Sequence, residues 1–290
     1  MPSPHKQHAS GTLCGIAGIA IFSGSLPATL IAETAFAPMF LTAARTIIAA
    51  MCGLALLIVL KQPRPGPGAM RPLMVVASGV VVGYPLLSAC ALQHIQAVRS
   101  ALWTGLLPLS TALFAVIRNG EKPSRIFWLL SLCGAGAVLV YAAIQTQGGS
   151  LLGDTFMLAA ILACGLGYAE GAALSRTLGG WQVISWALLI SSPVMLIIAL
   201  LCPPQTLAYV PAEAWCSLAY VALFSGLLGF VFWYRALALG GVARIGQLQL
   251  LQPLGGLALS AMLLHERVPA SMLVVTLIVL FCGFGARRAA

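Results

Sequence analysis

The amino-acid sequence predicts an all-α membrane protein: ten transmembrane helices in two inverted five-helix repeats around a central cavity. Three observations predict it. The 290 residues are 60% apolar and only 7% charged, with a mean hydropathy of +1.01. Their apolar runs are about as long as a bilayer is thick, which takes roughly 20 residues of helix. The chain also matches itself when displaced by half its length. A soluble domain carries about a quarter charged residues to keep its surface in water, and a chain of 30.1 kDa with this few charges cannot. The same composition excludes disorder. It also excludes a nucleic-acid reader, despite a net charge of +9 and a pI near 9.5.

Apolar runs bounded by charge, Pro and Gly place the spans near 11–32, 36–60, 71–92, 97–118, 125–144, 152–175, 181–201, 213–235, 243–264 and 270–287. Runs such as Ile47–Leu60 and Leu188–Leu201 do not alternate in polarity, as strands of a membrane barrel would. In hydrocarbon each backbone N–H and C=O must be bonded internally, so the runs are helices. Lys6, the first apolar stretch and Ala35-Phe36-Ala37 imitate a cleavable signal peptide. That stretch exceeds the usual 7–15 residues, and the repeat requires it, so it reads as an uncleaved first span.

With the N-terminus in the cytoplasm, the cytoplasmic tails and loops hold Lys6, Lys61, Arg64, Arg71, Arg118, Lys122, Arg125, Arg176, Arg235, Arg244, Arg287 and Arg288. The other side holds only Arg99 and Arg267, and Arg45 falls inside a span. Basic residues accumulate on the cytoplasmic side, so twelve against two predicts an inner-membrane protein with both termini inside.

Displacement by 145 residues lays Ala91-Leu92 on Ala236-Leu237, Arg99 on Arg244, Leu106 on Leu251, Pro108-Leu109 on Pro253-Leu254 and Glu121 on Glu266. Chance matches of Ala and Leu are cheap in such a chain; matched Arg, Pro and Glu are not. The repeats are 1–145 and 146–290. Five spans each, an odd number, insert them in opposite senses, a mark of secondary transporters. The segment from Ala91 through Leu107-Pro108-Leu109 to Asn119-Gly120-Glu121-Lys122 resembles the EamA repeat of the drug/metabolite transporter superfamily. Its second copy runs from Trp233-Tyr234-Arg235-Ala236-Leu237 through Gln252-Pro253-Leu254 to His265-Glu266-Arg267. Gly153-Asp154 and Leu174-Ser175-Arg176 at the ends of the sixth span fit as well. The first copy is most similar to bacterial aromatic amino-acid exporters in Leu107–Ala115, Asn119-Gly120 and Tyr84; Leu107 stands where those exporters tend to place an aromatic. The resemblance implies export of metabolites without ATP.

Candidate site residues follow from the cost of polar groups in lipid. Pro108 and Pro253, at equivalent positions inside the fourth and ninth spans, each remove a backbone hydrogen bond. Each is either a hinge or a tolerated kink. Gln249 and Gln252, three residues apart on the ninth span, share a face that must meet protein or cavity, while Gln247 points elsewhere. Tyr84, Trp103, Leu107, Tyr168 and Trp233, with Phe230 and Tyr234 nearby, supply surfaces on which a flat apolar substrate stacks. Trp128, Trp181 and Trp215 lie near span ends and mark the membrane interface. Glu170 and Arg45 are charges within spans, hence candidates for function. They either bind the charged groups of a zwitterion or pair with each other, or Glu170 carries protons. Glu121 and Glu266, at span ends, suit salt bridges with Lys122, Arg125 or Arg267.

The eight cysteines are scattered without C-x-x-C or zinc spacing, and no phosphate loop or nucleophile-elbow motif occurs. The expectation is a transporter rather than an enzyme, working as a monomer with a small-molecule substrate and membrane lipid as its partners, with no cofactor, metal or nucleic acid. A lipid-modifying membrane enzyme would need a nucleophile–base or metal constellation at one depth. A nucleotide-sugar carrier would need paired cations facing the cavity, and a carrier of cationic drugs would favour Glu170.

Overall fold

Apolar side chains cover the outside of the bundle and polar ones are folded inside, the reverse of a protein in water. In this computed structural model Met51, Ile58, Leu129, Leu200 and Phe281 are exposed, while Thr46, Thr111, Ser185, Ser191, Gln247 and Gln249 are buried. The structure describes residues 4–95, 100, 103–144, 150–204, 210–252, 255, 259, 262 and 270–290. Among these there is no strand. Six helices are long and apolar enough to cross a membrane: Ala9–Glu33, Pro38–Val59, Pro67–Leu92, Leu151–Ser175, Gly180–Leu201 and Ala212–Gly240. Two further helices of 20 residues, Arg125–Ile144 and Ala270–Ala289, pack on each other.

The first span is not one uninterrupted helix. It starts at Pro4, breaks at Gly24 and resumes as Ser25–Glu33. The fourth span also departs from expectation. Its helix runs Leu107–Asn119, and Pro108 lies in the first turn, where a missing N–H leaves no bond unmade. Pro108 therefore begins a helix instead of kinking a continuous one. Pro253 lies outside the described residues. The backbone ahead of it tightens from α-helix Val242–Gly246 into a 3₁₀ turn, Gln247–Leu250.

Two spans widen locally into π-helix. In the third it covers Ala77–Gly83, and in the eighth Tyr220–Leu228. The first, displaced by 145 residues, falls on 222–228, inside the second. Such widenings are rare and cluster at functional positions. Each re-aims the turn that follows it: Tyr84 comes directly after one and Phe230 just after the other.

Helices pair head to tail. Gly11 and Gly18 of the first span meet Gly240 and Gly229 of the eighth, so the two run antiparallel. Gly53, late in the second span, meets Ser185, early in the seventh. In the third span Gly79 lies so close to Ala163 O of the sixth that a Cβ there would collide with it. The small residues at Gly11/Gly15 and Gly79/Gly83 thus form close helix contacts, as their spacing predicts. One end of the bundle brings the start of the first span beside the last helix. There Arg287 donates to Thr12 Oγ1 (2.6 Å) and the Ser124 hydroxyl donates to Ala289 O (2.6 Å).

Candidate functional site: an aromatic wall with a cation at one edge

The second, third, sixth and eighth spans bring together residues scattered along the sequence. Tyr168 is the centre. Its ring lies 5.8 Å from Trp233, 6.2 Å from Phe230 and 6.4 Å from Tyr234. Phe22 closes the group, 5.0 Å from Phe230 and 6.4 Å from Trp233, edge-on to both. Such separations and tilts suit ring quadrupoles. Trp233 and Tyr234 are fully buried. The Tyr234 hydroxyl donates to Gly167 O (3.4 Å), whereas the buried Trp233 Nε1–H has no partner among the described residues. Tyr84 is half-buried and packs against the same core cluster as Tyr168, Trp233 and Tyr234.

Beyond Tyr84 the wall ends in a charge. Arg45 stands on helix Pro38–Val59, which packs against the helix that Tyr84 opens. It makes no hydrogen bond or ion pair with any described residue. Arg45 lies seven residues into helix Pro38–Val59, and Tyr84 eight before the end of the third span at Leu92. At 1.5 Å per residue both are about 10–12 Å from the same end. A cation at the centre of a transmembrane helix costs about 2.5–3.5 kcal/mol, and no described acid pairs with this one.

The remaining expected residues fall into separate places. Trp103 donates its indole N–H to Asp154 Oδ1 (2.8 Å), joining the fourth span to the start of the sixth. Leu107 is buried in the helical core. Glu170 pairs with Arg118 near the opposite end, not with Arg45. Gln249 is buried with both amide atoms unpartnered, and the Gln252 carbonyl accepts from Ser23 Oγ (3.4 Å). Tyr84, Tyr168 and Trp233 thus share one wall, while Trp103 and Glu170 belong to two different ends.

Two features escaped the sequence reading. Gln247 donates to Ser131 Oγ (3.4 Å) and lines a small pocket with Gly105, Pro108, Leu109 and Leu130. Its free volume is about 10 Å³, close to that of one water. Periodicity set Gln247 apart from the other two glutamines, and the 3₁₀ turn changes their relative directions. Glu121, expected in a salt bridge with Lys122 or Arg125, instead caps the ninth span. Its two carboxylate oxygens accept from the Val242 and Ala243 N–H groups (2.7 and 2.8 Å), and Arg176 stands 3.9 Å away. Gly120 and Gly241, at φ +67° and +84°, let the two chains turn there without a Cβ clash. Glu266 and Arg267 lie outside the described residues.

Apolar helices outside and buried polar and aromatic side chains inside define the class: a multi-pass membrane protein. The EamA-like transporter family model matches residues 9–143 and again 151–284. The chain belongs to this family; it is a membrane transporter, not an enzyme. An uncharacterized transporter of Bacillus subtilis (strain 168), YdeK, is 50% identical over 283 residues, 98% of this chain and 99% of that one. A solved crystal structure has the same fold, with a TM-score of 0.77 over 96% of both chains and 19% identity.

Proposed function

We propose that the chain is a secondary exporter of small amphipathic metabolites, foremost amino acids with aromatic or other bulky apolar side chains. It sits in the inner membrane as a monomer of ten spans with both termini cytoplasmic. Two inverted halves, 1–145 and 146–290, rock about a midplane cavity to give alternating access without ATP. The observation that carries the substrate reading is the ring cluster of Tyr168, Phe230 and Trp233, with Tyr84 packed against the same core. It offers faces and edges for an apolar side chain, and the Trp233 Nε1–H, unpartnered among the described residues, is suited to a polar group of the same molecule.

Three observations support the inverted arrangement. The second and seventh spans, equivalent under the repeat, meet antiparallel at Gly53 and Ser185. The end of the fourth meets the beginning of its equivalent, the ninth, through Glu121. The paired π-helical segments occupy corresponding positions. Pro108, where a helical segment begins, then acts as a hinge, with Pro253 as its counterpart under the repeat. A cation carrier is the weaker reading, because Arg118 already neutralises Glu170.

Counterflow in proteoliposomes tests the function. Radiolabelled phenylalanine should exchange saturably against internal phenylalanine, tryptophan or leucine. If no aromatic or bulky apolar amino acid moves in either direction, the substrate assignment is wrong.

A further inference from the structure

The aromatic wall accommodates an apolar side chain but leaves the rest of the substrate unmatched. Arg45 has the properties to match it. Its neighbours one helical turn away on either side, Leu41 and Ala49, are buried at 2% and 0% exposure, so this face of the helix packs on protein. Arg45 nevertheless keeps intermediate exposure. Leu41 and Ala49 bracket Arg45 on this packed face, which places it toward the bundle rather than on its bare outer side.

Three of the described acids already have other partners. Glu170 takes Arg118, Glu121 caps Val242 and Ala243, and Asp154 takes Trp103. No described residue gives Arg45 an ion pair. A guanidinium presents parallel N–H donors that match the two oxygens of a carboxylate. Tyr84, whose hydroxyl likewise makes no hydrogen bond to a described residue, adds a donor at the same depth. One cation suits a monoanion; a phosphate ester would call for more positive charge.

Building on the exporter reading, we propose that Arg45 and Tyr84 form the carboxylate-binding end of the substrate cavity. The substrate lies with its carboxylate at Arg45 and its side chain along Tyr168 and Trp233. The transported species is therefore a carboxylic acid, and an amine lacking the carboxylate is not carried.

Two matched series test this by competition against labelled substrate in proteoliposomes: tryptophan, indole-3-propionate and tryptamine, then leucine, 4-methylpentanoate and 3-methylbutylamine. The acids in each series should compete and the amines should be at least tenfold weaker. Arg45→Gln should lose at least tenfold in affinity for the acids without changing the response to the amines. Arg45→Lys, which keeps the charge but not the fork, should fall between. Thermal melting of each purified variant separates lost affinity from lost folding. The proposal is overturned if amines compete as well as acids, if folded Arg45→Gln binds acids like the wild type, or if no acid competes. If only the aliphatic series binds, with its acids favoured, the carboxylate site stands and the aromatic preference falls.

Discussion

Removing the Glu121 carboxylate tests the joint between the fourth and ninth spans. Its two oxygens accept from Val242 N–H and Ala243 N–H at 2.7 and 2.8 Å, two of the four donors that a helix leaves unpaired at its N-terminus. A hydrogen bond to a charged group contributes about 1.5–3 kcal/mol when well buried. The Glu121 side chain is 20% exposed, so water replaces part of this, and Glu121→Ala should cost about 2–3 kcal/mol net. Glu121→Gln keeps one acceptor oxygen, turns an NH₂ group toward the other donor and loses about 0.3–1 kcal/mol of charge–dipole attraction. It should lose roughly half as much. Melting of the purified protein in detergent should therefore rank wild type above Gln above Ala. If Glu121→Ala melts with the wild type, the carboxylate does not hold the two spans together and the capping argument fails.

Two further substitutions probe the interior. Trp233→Phe deletes the unpartnered Nε1–H, a burial that costs about 1–3 kcal/mol, and should melt near the wild type, whereas Trp233→Ala should lose about 3–5 kcal/mol through the void it leaves; equal losses would mean the N–H has a partner after all. At Gly79 a Cβ would run into Ala163 O, and Gly79→Ala should destabilise by about 1–3 kcal/mol from overpacking. At Gly136 no atom lies within 4 Å of a built Cβ, and Gly136→Ala should be neutral or stabilise by about 0.5–1 kcal/mol through helix propensity, which the same melting assay reads.

Much of the helix plan was legible. Expected spans at 36–60, 125–144, 152–175 and 181–201 became Pro38–Val59, Arg125–Ile144, Leu151–Ser175 and Gly180–Leu201, because charge, Pro and Gly mark where hydrocarbon ends. The eighth ran on past Arg235 to Gly240; an exposed Arg on a helix can extend its long side chain to the interface without ending the helix. The candidate site was legible only in its parts. Tyr84, Tyr168 and Trp233 were visible as aromatics within spans, yet so was Trp103, which binds Asp154 instead. Glu170 and Arg45 looked like a possible pair, and the structure gives Glu170 to Arg118.

The sequence by itself determined that lipid is the solvent, that the chain is helical, and that it contains a displaced copy of its own Arg, Pro and Glu pattern. These follow from composition and period, which are local properties. Only the tertiary structure decided which charges meet, where the helices widen and which ring stands beside which. Those depend on the rotation of each helix about its axis. A π-helical turn such as Ala77–Gly83 changes the direction of everything after it without any mark that hydropathy can record. That rotation leaves Arg45 with no ion pair among the described residues, while Glu170 is given to Arg118.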